Sequence, residues 1–406
     1  MDWTGGGVAS RLVFPLDCPT QRYDWGSRDS IPAFRRRQAD GDPVAEVWMG
    51  THPLGPAKVV TSDGEKALSD VAGDLPFMLK ILSAARPLSI QVHPNAARAQ
   101  HGYAEEEAAG VLLDAPQRVF KDPRPKPEMV YALSTFDTLV GFRPTAEILR
   151  VLSPLSSPRL QALATELRQS PGFNSVVALL AHLLDEPPSA EEIGQVVDDC
   201  RSALDQGIDV RRAYVTALEI AEYFPGDVGV VVSLLLNRLT LQPGEAAYLE
   251  AGVIHAHLSG MCLEVMVSSD NVLRAGLTTK AVHPAELVHA IAVGMSRVAR
   301  VTPTQLFPLP TDVFSPGDGD FALSVTQCSP ADPDGVPLPA HGHRILVCTG
   351  GDVTLTNAAG ESLRLQRGDA AYADEADGKL TVVGTGEVAQ AFRPMDEVVP
   401  ALTYLV

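Results

Sequence analysis

The sequence contains no Cys-x-x-Cys pair, no long apolar run and no excess of positive charge, and each absence removes a class of function. Its five cysteines, Cys18, Cys200, Cys262, Cys328 and Cys348, are odd in number and widely scattered, and they read as reduced thiols. The most apolar run, Val228 to Leu236, is too short to span a bilayer and reads as a buried strand. Met1-Asp2-Trp3-Thr4-Gly5-Gly6 lacks a basic stretch followed by an apolar one, so no secretory signal is visible and a cytoplasmic location is expected. Lys and Arg total 32 against 50 Asp and Glu, a formal charge of −18, which repels nucleic acid and anionic membranes, so neither is expected as a partner. A small anionic substrate is still compatible, because a few buried cations in one cleft outweigh a distant acidic surface.

What is present fits packed cores: 406 residues, 45% hydrophobic and 20% charged, enough for two or three domains. Up to about Gly141, short apolar stretches such as Phe77-Met78-Leu79-Lys80-Ile81-Leu82 lie between turn residues and read as strands. From about Pro144 to Tyr223 the spacing turns helical, as in Leu160, Leu163, Leu167 and in Val176, Val177, Leu179, Leu180, Leu183, Leu184. Ser189-Ala190-Glu191-Glu192 gives that block a helix start, and its one histidine, His182, falls on an apolar face. Strand patterning then returns, beginning with Val230-Val231-Val232, and continues in short strands to the end. Leu241-Gln242-Pro243-Gly244-Glu245-Ala246-Ala247-Tyr248 is echoed by Leu365-Gln366-Arg367-Gly368-Asp369-Ala370-Ala371-Tyr372, which suggests a duplicated barrel. The expected fold is mainly β, with duplicated jelly-roll or cupin barrels and an all-helical insertion. Its segments are 1–143 and 229–303 for the first barrel, 144–228 for the helices and 304–406 for a second barrel, the last assigned by position and strand pattern.

Four segments carry residues suited to chemistry. Gln91 and His93, two apart in Ser89-Ile90-Gln91-Val92-His93-Pro94, share a face if the stretch is a strand, and both are acceptable metal donors; a structural turn fits the same residues. Glu128, entering an apolar run after Lys126-Pro127, needs a cation to offset its desolvation, either a metal or Lys126 or Arg124. His255-Ala256-His257 places two imidazoles on one strand face, whereas the similar His341-Gly342-His343 has no comparable neighbours and reads as a surface turn. Arg274 and Lys280 lie in a Gly-containing, uncharged stretch where a guanidinium fork suits phosphate; a salt bridge from Arg274 to Asp270 or Glu264 is the alternative. Arg274 follows His255 by nineteen positions, which allows the chain to run down one strand, turn at Ser259-Gly260 and return through Glu264 to the same end of a barrel.

Taken in order, these segments resemble the signature series of type I mannose-6-phosphate isomerases. The matching phrases are Tyr23-Asp24-Trp25-Gly26, Ala45 to Pro53, Phe77 to Lys80, Leu88 to Pro94, Lys126 to Met129, Leu235 to Asn237, His255 to His257 and Ser269 to Thr278. The resemblance spans residues 23 to 280 and is weak beyond about 300. It implies one zinc held by Gln91, His93, Glu128 and His255 in a catalytic cupin barrel, with Arg274, Lys280, Glu264, Lys126, Ser89 and Lys80 lining a sugar-phosphate pocket. Two departures stand out: Arg124-Pro125 occupies the place where family members often have Asn-His, and His257 stands where they commonly have Tyr. His257 is accordingly assigned to substrate binding, with a role as extra ligand or acid/base also open.

The implied reaction interconverts mannose 6-phosphate and fructose 6-phosphate through an enediol. Arg274, Glu264, Lys126 and Lys280 form the expected catalytic set, with Glu264 the leading general base and a lysine or a water on the metal as alternatives. The competing expectations are a cupin-type glucose-6-phosphate isomerase, a cupin oxidoreductase and a noncatalytic sugar-phosphate-binding cupin. A monomer is expected.

Overall fold

A computed structural model describes residues 13–61, 64–292, 299–316, 319–339 and 342–394. It is mainly β, with two eleven-stranded sheets among the described residues and a helical block between strands of one of them.

The first sheet carries the chemistry and is folded on itself. The strand His255–Val267 belongs to both of its halves: His255 to Ser259 pair with the strand Phe136–Phe142, and Gly260 to Val267 pair with Phe77–Ala84. Thus the expected turn at Ser259-Gly260 is instead a bend within one continuous strand. Gly260 makes it possible, since its φ is +108° and a Cβ there would meet the Thr135 carbonyl oxygen at 2.3 Å. Leu82, Val130, Ala132 and Cys262 from one half pack against Phe136, Val140, Leu239 and Leu241 from the other, filling the space between them.

Period-two alternation decides what lies outside that fold. In Phe77–Ala84, Leu79 and Ile81 turn outward and join Val325, Ile345, Val347 and Ala389 of the second sheet in one core. The second sheet is built mostly from C-terminal strands, yet Phe14–Asp17 pairs with Ala370–Ala373 in register Phe14↔Tyr372 and brings the strands Lys58–Thr61 and Gly64–Ala67 with it.

Six helices, Thr145–Leu152, Pro158–Gln169, Phe173–Asp185, Ala190–Asp205, Ala213–Tyr223 and the short Gly229–Ser233, lie between the strands Phe136–Phe142 and Leu236–Leu241. Those two strands pair directly, Phe142 opposite Leu236, so the chain leaves and re-enters the sheet at adjacent positions. Ser189 caps its helix in a full capping box with Glu192, as the sequence indicates. The helical apolar residues share one core with Ile90, Val92, Ile254, Ala256, Leu273 and Ala275. By alternation the residues between these, Gln91, His255 and Arg274, face away from the helices and into the folded sheet.

Two local expectations differ from the structure. Val228 to Leu236 is not a strand: Gly229–Ser233 is a short buried helix, and only Leu236 starts a strand. A continuous apolar run has no period to read, and three fully buried valines pack equally well in either geometry. Asp227 secures the helical turn by accepting from the backbone N–H groups of Gly229 (2.7 Å) and Leu277 (2.8 Å). His182 is exposed beside Arg159 rather than part of an apolar face. His182→Ala is therefore expected to change stability by no more than about 0.5 kcal/mol and to leave turnover unchanged, as thermal melting and kinetics will show.

Among the described residues no helix is long and apolar enough to cross a membrane.

Candidate active site

Strand register assembles the site. His255 lies directly opposite Gln91, and Gln91 directly opposite Arg274, so three side chains from three neighbouring strands form a row on one face. On the other half of the sheet Glu264 lies opposite Lys80, and Lys80 opposite Trp48. Glu128 opens its strand two rows away, opposite Met266.

Gln91, His93, Glu128 and His255 converge. His93 Nε2 is 3.3 Å from Glu128 Oε1, His255 Nε2 is 3.4 Å from Glu128 Oε2, and the Gln91 carboxamide is 3.4 Å from His255 Nε2. Bonds of about 2.0 Å to a tetrahedral zinc place neighbouring donor atoms roughly 3.3 Å apart, so this spacing is that of a zinc shell. Both imidazoles are oriented for it: Nδ1–H of His93 donates to the Asn271 carbonyl (2.7 Å) and that of His255 to the Val253 carbonyl (2.9 Å), which leaves each Nε2 lone pair facing inward. His93 Nε2 and Glu128 Oε2 are buried without a hydrogen-bond partner. Burial, then the nearby Lys126 ammonium, pushes His93 down to about 4, keeping it in the neutral form a metal needs. Burial would raise Glu128, but the Lys126 ammonium overcomes it and holds the carboxyl well below its usual range. The residues present therefore fit one zinc, and a half-turn of the Gln91 amide presents its oxygen as the fourth donor.

Around this centre lies a buried charge network. Lys126 Nζ is 2.9 Å from Glu128, and Lys80 Nζ is 3.0 Å from Glu264 and 3.5 Å from Glu46. Three buried carboxylates thus face two ammonium groups, an excess of negative charge that a divalent cation more than offsets. Burial alone would lower Lys80, but Glu264 and Glu46 raise it well above its ordinary value, while Glu264 is held at about 2 against its own burial chiefly by Lys80. His257, fully buried, sits with Nε2 3.4 Å from Glu264 and Nδ1 3.1 Å from the Thr138 hydroxyl. Ser89 is half-buried just before the strand Ile90–Val92, next to Leu88, whose N–H donates to the His257 carbonyl.

Arg274 is half-buried, and neither of the acids considered for it is its partner: Asp270 pairs with His52 at 3.2 Å and Glu264 with Lys80. Its guanidinium is lowered by burial alone, and exposed Lys280 is lowered first by Arg274, so two cations lie near each other and, among the described residues, neither forms an ion pair with a carboxylate. That is the electrostatic character of an anion site. Arg124, in place of the family's frequent histidine, is braced to Asp74 and to the Ser268 carbonyl. His343 is exposed and hydrogen-bonded to the Tyr372 hydroxyl, and His341 lies outside the described residues.

The sequence reading gave no role to Glu46, whose carboxylate binds Lys80 and accepts from Trp48 Nε1 at 2.7 Å. Alternation in Ala45-Glu46-Val47-Trp48-Met49 is the signal that marks Glu46 and Trp48 as sharing a face, because Val47 and Met49 turn to the opposite core.

The model of the family described as phosphomannose isomerase type I, catalytic domain, matches residues 13–145. The mannose-6-phosphate isomerase of Escherichia coli (strain K12) is 35% identical, over 92% of this chain and 98% of its own length. The human mannose-6-phosphate isomerase is 32% identical, over 89% and 93% respectively. A crystal structure of mannose 6-phosphate isomerase from Salmonella typhimurium, bound to substrate and zinc, superposes with a TM-score of 0.85 at 32% identity, covering 95% of this chain and all of that one. With that similarity along nearly its whole length, the chain belongs to the type I phosphomannose isomerase family.

Proposed function

We propose that this protein is a zinc-dependent mannose-6-phosphate isomerase, interconverting mannose 6-phosphate and fructose 6-phosphate with zinc held by Gln91, His93, Glu128 and His255. The observation that carries this reading is the row His255, Gln91, Arg274, which sets metal donors side by side on one sheet face with a guanidinium that has no carboxylate partner among the described residues. Such a row suits a substrate with oxygens to polarise at one end and a phosphate at the other. Bound there, zinc supplies a Lewis acid without redox chemistry, as an isomerisation requires.

The chain's own residues supply the rest. Arg274 and Lys280 hold the anionic substrate, with Ser89, Lys126 and His257 lining the pocket. Glu264 takes the proton from the carbon beside the carbonyl and returns it to the neighbouring carbon. At about 2 it is ionised at every working pH, and Lys80 at 3.0 Å keeps it a weak base in the resting site. As charge develops on the substrate oxygen, the Lys80 ammonium is drawn toward it, and Glu264 becomes more basic as its counter-ion leaves. Glu264→Gln is accordingly expected to lower kcat by a factor of about 10² to 10⁴ with zinc content unchanged. A variant retaining wild-type kcat would remove Glu264 from the proton transfer.

The reacting residues come from segments 1–143 and 229–303, and we assign no chemistry to 144–228 or 304–406. We further propose a cytoplasmic monomer; sedimentation as a dimer would remove the latter. A coupled isomerase assay with and without chelator tests the function directly: activity on mannose 6-phosphate that chelation abolishes and zinc restores is expected, with metal analysis giving about one zinc per chain.

A further inference from the structure

Asn271 connects parts of the site that are remote in sequence. Its carbonyl oxygen accepts from His93 Nδ1–H at 2.7 Å. Its carboxamide is buried and fully engaged: Oδ1 accepts from the Lys121 N–H (2.7 Å), and Nδ2 donates to the carbonyls of Asp122 (2.7 Å) and Arg124 (2.9 Å). Asp122 closes the clasp from the other side, its carboxylate accepting from the Ser269 hydroxyl (2.9 Å) and the Asp270 N–H (2.9 Å).

These bonds tie two segments together. Residues 121–125 run through Lys126 into the strand that Glu128 opens, and residues 269–271 run into the strand that carries Arg274. A buried carboxamide with donor and acceptor both satisfied is held in one orientation, so the backbone carbonyl at the same residue is held too. That carbonyl fixes the ring of His93 and strengthens Nε2 as a donor. Neither Asn271 nor Asp122 is among the residues proposed to ligate the metal.

We propose that Asn271 and Asp122 are positioning residues for the zinc, setting His93 and the entry of Glu128 and so the affinity of the site. This rests on the assignment of zinc to those ligands.

Chelator-competition titration of zinc tests it on the full chain, with Asn271→Ala and Asp122→Asn each shown by circular dichroism to be folded at the working temperature. Zinc affinity is expected to fall about 10- to 100-fold in Asn271→Ala and less in Asp122→Asn, with kcat recovered in both by excess zinc. A brace serving stability alone would lower the melting temperature and leave zinc affinity untouched. Wild-type zinc affinity in folded Asn271→Ala overturns the proposal. If that variant does not fold, Asp122→Asn decides: it keeps the shape but loses an acceptor oxygen, and an unchanged dissociation constant overturns the proposal equally. A wild-type protein that takes up no zinc overturns the metal assignment itself.

Discussion

His93→Ala is expected to lose zinc and turnover together. Binding of a four-ligand zinc site is worth about 10–16 kcal/mol, so one strong donor accounts for roughly 3 kcal/mol, or more than a hundredfold in affinity. The loss does not stop at the ligand. The ring's Nδ1–H now meets the Asn271 carbonyl, and its removal leaves that buried acceptor unpaired at a cost of about 1–3 kcal/mol. His255→Ala should behave alike, because its ring is held in the same manner by the Val253 carbonyl. Gln91→Ala should be the mildest of the set, since a neutral amide is the weakest donor and the half-buried side chain leaves room for water in its place. Metal analysis after dialysis, followed by kinetics at saturating zinc, orders the three. A fully active His93→Ala protein holding no metal would end the zinc reading.

The four proposed ligands were named by the family resemblance; the residue pattern alone set Gln91 and His93 two apart and Glu128 at the head of an apolar run and left metal and structural readings both open, and in the structure Glu128 and His255 each open a strand while His93 follows the strand that carries Gln91. Alternation also explains why they face inward, as the apolar residues between them are claimed by the helices behind. The echo between Leu241–Tyr248 and Leu365–Tyr372 likewise has a structural counterpart. In both, a carboxylate accepts from the backbone N–H three residues back, Glu245 from Gln242 at 2.8 Å and Asp369 from Gln366 at 2.9 Å, and the intervening glycine has φ near +90°.

What was not legible depends on pairing between distant segments. Nothing local announces that Phe14 pairs with Tyr372, or that Glu46 meets Lys80 across two strands. The Asn271 clasp is invisible for the same reason, since its partners lie about 150 positions away. The run Val228 to Leu236 failed differently: a fully buried segment has no polar face, so its sequence carries no period, and Asp227 rather than the valines decides that it turns.

Arg274→Ala is expected to cripple the enzyme without weakening the fold. A half-buried guanidinium with no carboxylate partner among the described residues has lost hydration without an ion pair in return, which costs folding free energy rather than supplying it. Its neighbour Lys280 adds repulsion, lowered as it is by Arg274 first. A phosphate relieves both, accepting the guanidinium's paired N–H groups and balancing the two positive charges. The alanine variant should therefore melt at or above the wild-type temperature while kcat/KM falls at least about a hundredfold, or roughly 2.7 kcal/mol of transition-state stabilisation. Arg274→Lys keeps the charge but not the planar fork, and should lose at least about tenfold. Inorganic phosphate separates binding from bracing: it should raise the melting temperature of the wild type and leave that of Arg274→Ala unmoved. A destabilised Arg274→Ala protein with wild-type kinetics would show that the residue braces the strand and that the anion is held elsewhere.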